Sequence, residues 1–108
     1  MDLIDISDFK KLELIVGKII EIQDINSSKP MYILKVNIGT EIRTIIAGIK
    51  DHYQKQDLLN KNVVVIANLK PKTIMGIESK GMLLIADDGT DISLVFPEKE
   101  LKLGAKIE

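Results

Sequence analysis

The chain has 108 residues, a formal net charge of −1 and no cysteine. This length predicts a single domain over residues 1–108, with a core large enough to fold without disulfides. The lack of cysteine excludes a thiolate nucleophile and a cysteine-based zinc site, and it fits a reducing compartment. Charged residues interrupt the apolar stretch 12–22, so we expect no membrane-spanning segment and a cytoplasmic location.

The charge is unevenly distributed along the chain. Residues 1–8 and 87–108 each carry a net charge of −3, whereas residues 9–86 carry +5. A basic centre between acidic ends is typical of a protein that binds a polyanion, although lysines that only keep a small domain soluble would give the same count.

Apolar and β-branched residues predict three strands joined as a meander in the first half, at 12–25, 31–38 and 41–47. Gly17 interrupts the alternation of the first strand and predicts a bulge there. A turn at 24–30 follows this strand. On the second and third strands, Lys35 and Arg43 are predicted to project from one exposed face.

The second half begins with a stretch that favours a short helix, residues 50–59. Two further strands are predicted at 63–67 and 81–86, separated by a long basic loop, 68–80. An Asp-Gly turn then leads to an additional strand at 92–96, and residues 97–108 are expected to form a loop with a short extended piece.

This order predicts an all-β protein: a five-stranded Greek-key OB-fold barrel over about 12–96, with a short helix between strands three and four and a C-terminal extension. In that fold, the face of strands two and three binds oligonucleotides or oligosaccharides. The two loops that flank this face correspond here to 24–30 and 68–80.

Few residues could support catalysis. His52 is the only histidine and is better explained as a surface residue than as a general base. Asp87 and Asp88 precede Gly89 and are better explained by a turn than by a catalytic pair. We therefore expect no enzyme activity, no cofactor and no metal site.

Binding of nucleic acid has more support, because cationic residues collect on one side of the predicted barrel. They are Lys29, Lys35, Arg43, Lys70, Lys72 and Lys80. With four aromatic residues in the whole chain, stacking of single-stranded bases is disfavoured and folded RNA is the better ligand. Met82 opens a buried strand, whereas Met75 lies in the polar loop and suits contact with a ribose, a base edge or a partner.

Three motifs carry a resemblance to a known family: Asn-Leu-Lys-Pro at 68–71, Met-Gly-Ile-Glu-Ser at 75–79 and Gly-Met-Leu-Leu at 81–84. They resemble the signature of the OB-fold tRNA-binding domain, which occurs at the C-terminus of many methionyl-tRNA synthetases, in their free-standing beta subunit, in structure-specific tRNA-binding proteins and in endothelial-monocyte-activating-polypeptide-like domains.

The resemblance implies a non-catalytic module that recognises tRNA by shape and backbone and acts in trans as a methionyl-tRNA synthetase beta subunit. It also implies a homodimer, with residues of about 87–108 in the contact. Asn68, Ser79 and Met82 match positions associated with tRNA contact. The segment 25–31 departs from the family pattern, which leaves the first binding loop and Lys29 open. The alternative is a chaperone-like or protein-interaction homodimer of the same fold.

Overall fold

A computed structural model describes residues 1–25 and 27–108, and antiparallel β-structure dominates them. The two helices are single turns: α1 (Ile6–Phe9) and α2 (Lys55–Leu58). The strands are β1 (Leu14–Asp24), β2 (Tyr32–Asn37), β3 (Ile42–Ala47), β4 (Asn62–Ile66), β5 (Lys72–Ile74), β6 (Ile77–Ser79), β7 (Met82–Leu83), β8 (Ile85–Asp87) and β9 (Ile92–Leu94).

The five-stranded sheet has the order β3-β2-β1-β4-β7 and curls into a nearly closed barrel. The first half of the long strand β1 pairs with β4 and its second half with β2. The two ends of the sheet approach each other where the backbone N–H of Lys80 donates to the carbonyl of Thr44 at 2.8 Å. The predicted all-β, OB-like barrel with a helix between its third and fourth strands is confirmed.

The bulge in β1 was placed wrongly. The pairing of β1 with β2 shifts between Ile19 and Glu21, not at Gly17. Gly17 has a different reason to lack a side chain, since a Cβ there would lie 2.8 Å from Cγ1 of Val36. The glycine therefore leaves room for the Val36 side chain to pack against β1.

The barrel core is built from the strand residues that point inward. Alternation along each strand sends every second side chain to the same face. The largest fully buried side chains of this core are Ile19, Leu34, Val36, Ile45, Val63 and Val65 on the strands, together with Leu58 on α2. A second, smaller cluster of Leu14, Val64 and Ile66 lies on the outer face of β1 and β4, where Phe9, Leu84, Val95 and Ile107 cover it.

Several local predictions need correction. Helix α1 was not predicted. The predicted helix at 50–59 is reduced to α2, and the predicted strand at 81–86 is divided into β7 and β8, because the chain leaves β4 after Leu83 to pair with β9. The predicted loop at 68–80 contains a hairpin, β5–β6, and we call residues 68–80 the arm.

The C-terminal segment lies beside the first half of β1 as an added extended piece. Its backbone exchanges hydrogen bonds with Leu14 and Val16 at 2.8–2.9 Å, through Gly104, Ala105 and Ile107. This segment therefore occupies the edge of β1 that β2 leaves open. Among the described residues, no helix is long and apolar enough to cross a membrane.

Candidate nucleic-acid interface

A groove of about 520 Å³ separates β3 from the arm. Its apolar surface comes from Ile46, Leu69, Ile74 and Met82, and its cationic surface from Lys70 and Lys72. Ser79 and Gly81 complete the lining. The structure thus brings four of the nine predicted site residues together in one groove: Lys70, Lys72, Ser79 and Met82.

The arm is a two-stranded ribbon with a two-residue turn. Lys72 pairs with Ser79 and Ile74 with Ile77, so these four residues share one face of the ribbon, which is the face that lines the groove. Met75 and Gly76 form the turn with φ of 53° and 79°, as in a type I′ hairpin.

Two lysines of the groove are available to a ligand. Lys70 and Lys72 are exposed, and in the described part of the chain no carboxylate lies within 4.0 Å of either ammonium group. The exposed ammonium group of Lys80 differs, because it lies 3.6 Å from the carboxylate of Glu78.

Arg43 joins both ends of the arm to the barrel. Its Nη1 donates to the carbonyl of Ala67 at 2.9 Å, just before the arm, and to the carbonyl of Lys80 at 3.3 Å, at its end. Its Nε donates to Glu41 at 2.8 Å, and only 19% of the side chain is exposed. A planar guanidinium with several fixed donors suits this role.

Lys35 and Arg43 do not share a face, which corrects the prediction. Arg43 follows the inward register of Ile45 and Ala47, at the mouth of the barrel. Lys35 pairs with Thr44 on the outer face, where its ammonium group donates to the Thr44 hydroxyl at 2.7 Å.

Asn68 anchors the start of the arm to the N-terminal segment. Its Oδ1 accepts a hydrogen bond from the backbone N–H of Glu13 at 2.9 Å, and its Nδ2 donates to the carbonyl of Lys11 at 2.7 Å. The amide therefore orients the arm through contacts within the protein.

Ser79 and Met82 differ in their exposure. Ser79 is 6% exposed, and its hydroxyl accepts a hydrogen bond from the backbone N–H of Ile46 at 3.0 Å, which helps to close the barrel. Met82 begins β7 with 48% of its surface exposed and faces the groove. Of these two, Met82 is the one positioned to contact a ligand.

Lys29 lies in the first loop, where its backbone N–H bonds to the Ser27 hydroxyl at 3.1 Å and its side chain is exposed. The rest of this loop includes position 26, which is outside the described residues. Beside the loop, Asp24 contacts the ammonium groups of Lys55 and Lys50, and their hydrogen bonds lower the pKa of its carboxyl group.

The structure shows the surroundings of the residues that the sequence analysis weighed as catalytic candidates and did not favour. His52 Nδ1 lies 3.1 Å from an Asp91 carboxylate oxygen at the surface. Asp87 and Asp88 accept hydrogen bonds from backbone N–H groups in the turn that follows them, as the Asp-Gly pattern predicted.

Of the apolar lining of the groove, which we call the apolar floor, the sequence predicted only Met82 as a site residue and not Ile46, Leu69 or Ile74. Ile46 lies on β3, whose opposite face is buried in the barrel, and Ile74 lies in the β5–β6 hairpin. Leu69 lies inside a polar motif. The alternation on β3 contained a signal for Ile46, because it lies on the outward register together with Thr44. Ile74 reaches this floor as part of the β5–β6 hairpin, and that hairpin was not predicted.

Comparison with known proteins identifies the family. A family model described as "Putative tRNA binding domain" matches residues 14–106. The chain belongs to this family. The match includes β1 to β9, the arm and the groove.

Similar proteins include the methionine–tRNA ligase of Pyrococcus horikoshii, 51% identical over 107 residues, which are 99% of this chain and 15% of that protein. The chain thus spans about 15% of the length of such relatives. A crystal structure of a MetRS-related protein from the same organism has a TM-score of 0.92 and 34% identity, with full coverage of both chains. The CsaA chaperone protein of Picrophilus torridus has a TM-score of 0.90 and 32% identity, with 98% of this chain and 100% of that one covered.

Proposed function

We propose that this domain binds folded tRNA in the groove between β3 and the arm. The observation that carries the proposal is the composition of the groove: two lysines, with no carboxylate within 4.0 Å among the described residues, lie beside an apolar floor. Lysines at such a site neutralise phosphates, while the apolar floor suits ribose and base edges. Membership of the tRNA-binding family supports the same ligand.

In this proposal the chain supplies affinity, and a synthetase supplies the chemistry. The chain acts in trans as a methionyl-tRNA synthetase beta subunit, without catalytic groups of its own. Its similarity to methionine–tRNA ligases supports the partnership, since the match covers 15% of the length of these enzymes and leaves most of each enzyme unmatched. A cytoplasmic location follows from that role.

We also propose a homodimer, with residues of about 87–108 in the contact. Apolar side chains without cover support it. Within this segment Phe96 and Leu101 are 58% and 47% exposed, and a pocket of about 570 Å³ lies beside the C-terminus, between Phe9 and Ile107. Light scattering after size-exclusion chromatography should give twice the chain mass; a monomer at micromolar concentration would contradict the proposal.

The ligand is tested by titrating the protein with folded tRNA, an unstructured oligonucleotide and an RNA duplex, each at several salt concentrations. We expect tRNA to bind most tightly and its affinity to fall as salt rises, because phosphate contacts release counterions. Equal affinity for all three RNAs, or no binding to any, would refute the proposal.

A second candidate function is peptide binding in the same groove, as in a chaperone. The specific observation is the similarity to CsaA proteins over nearly the whole chain. The titration separates the two functions: an unfolded polypeptide that competes with tRNA, or that binds when tRNA does not, would favour the chaperone function.

A further inference from the structure

The tip of the arm combines an exposed apolar side chain with an unfavourable backbone conformation. Met75 has a φ of 53° and is 56% exposed. Left-handed backbone is disfavoured for residues other than glycine, asparagine and aspartate. Met75 therefore carries a conformational cost at a position where packing within the chain returns little.

The turn itself does not require methionine. A two-residue type I′ turn prefers Asn-Gly, and here Gly76 already occupies the second position. Exposed strained residues often mark sites that act on a ligand. The conformation of Met75 thus points to a contact outside this chain.

The groove face of the arm indicates what that contact is. It carries Lys72 near the barrel and Ile74 with Ile77 next to the tip, so its charge declines toward Met75. A ligand that complements this face has anionic groups at the base of the arm and an apolar surface at the tip of the arm. In folded RNA, the apolar surfaces beside the phosphates are the faces of nucleobases in loops.

We propose that Met75 packs against the exposed face of a nucleobase in a loop of the bound RNA. The inference rests on the proposed function and adds a second contact to it, beyond the groove. A flexible, polarizable thioether suits a flat aromatic surface. The contact would favour an RNA that has folded loops over a plain duplex, without reading its sequence.

The test is Met75→Asn, which places the preferred residue in the turn and removes the apolar side chain. We expect the thermal midpoint to rise by about 3 °C, because the backbone strain is relieved. We expect tRNA affinity to fall about eightfold, the effect of losing on the order of 50 Å² of buried apolar surface. Affinity for an RNA duplex should stay unchanged, as should the salt dependence of tRNA binding.

Two control variants complete the test. Met75→Leu keeps an apolar tip and should bind tRNA within about twofold of the unsubstituted protein. Leu59→Asn removes an apolar side chain of similar exposure, 46%, at the end of α2 and should leave tRNA binding unchanged.

The outcomes distinguish the Met75 contact from the proposed tRNA binding on which it rests. Unchanged tRNA affinity in Met75→Asn, an equal loss in Leu59→Asn, or a lower thermal midpoint would overturn the contact while the groove still binds tRNA. If the unsubstituted protein does not prefer tRNA to duplex, the proposed function fails, and this contact fails with it.

Discussion

Replacing Arg43 by glutamine distinguishes two roles that the side chain could play in RNA binding. If Arg43 orients the arm, its effect on binding is indirect. If it contacts phosphate, the effect is direct. Glutamine removes the positive charge and is too short to reach both the Ala67 and Lys80 carbonyls that the guanidinium now joins.

These contacts set the expected change in the free energy of unfolding. A hydrogen bond from a charged donor contributes about 1.5–3 kcal/mol. The guanidinium makes two such bonds to carbonyls and one to Glu41, but the Lys80 bond is long and water can replace part of each. We therefore expect the free energy of unfolding to fall by about 2 kcal/mol, which lowers the thermal midpoint by about 10 °C in a domain of this size.

Binding should weaken about tenfold, because the arm must then be ordered at the moment of binding. The assay is a tRNA titration at several salt concentrations, paired with thermal unfolding. We expect the slope of log affinity against log salt to stay within about 0.3 of the original, since no phosphate contact is lost. Lys72→Ala is the matched control, with a slope reduced by about one and a nearly unchanged midpoint.

One result would contradict the positioning role of Arg43. If Arg43→Gln behaves like Lys72→Ala, with a lower slope and an unchanged midpoint, the guanidinium contacts phosphate and does not position the arm. The hydrogen bonds to Ala67 and Lys80 would then contribute little.

Three further predictions test other parts of the structure. Replacing Lys70 and Lys72 together by alanine should weaken tRNA binding at least tenfold in low salt, whereas a large loss of thermal stability would mean that these lysines are structural. Asn68→Ala should lower unfolding free energy by about 1–2 kcal/mol in a denaturant titration, because two hydrogen bonds to the N-terminal segment are lost; an unchanged midpoint would contradict that anchor. The pKa of Asp24 is lowered in the folded state, so its contribution to stability is present above its ordinary value of 3.8 and is lost as pH falls below it. Asp24→Asn should therefore flatten the decline of the thermal midpoint between about pH 5 and pH 2, and an identical decline would contradict this role.

Local patterns predicted the framework of the molecule well. Alternation of apolar residues located β2 and β3 to within one residue at each end, because the period of two is a property of each strand by itself. The Asp-Gly turn before β9 was also predicted from a local pattern. The arm was harder, since Met-Gly is not a usual hairpin turn, and so β5 and β6 were taken as loop.

Composition and strand order were enough to predict the barrel, the basic character of the arm and the position of the arm beside β3. Tertiary structure decided what Arg43, Asn68 and Ser79 do. The backbone groups that they bond lie 24 to 57 residues away along the chain, and only closure of the barrel brings those groups within reach. A motif can mark such residues as important, but folding determines whether their polar atoms face a ligand or the protein itself.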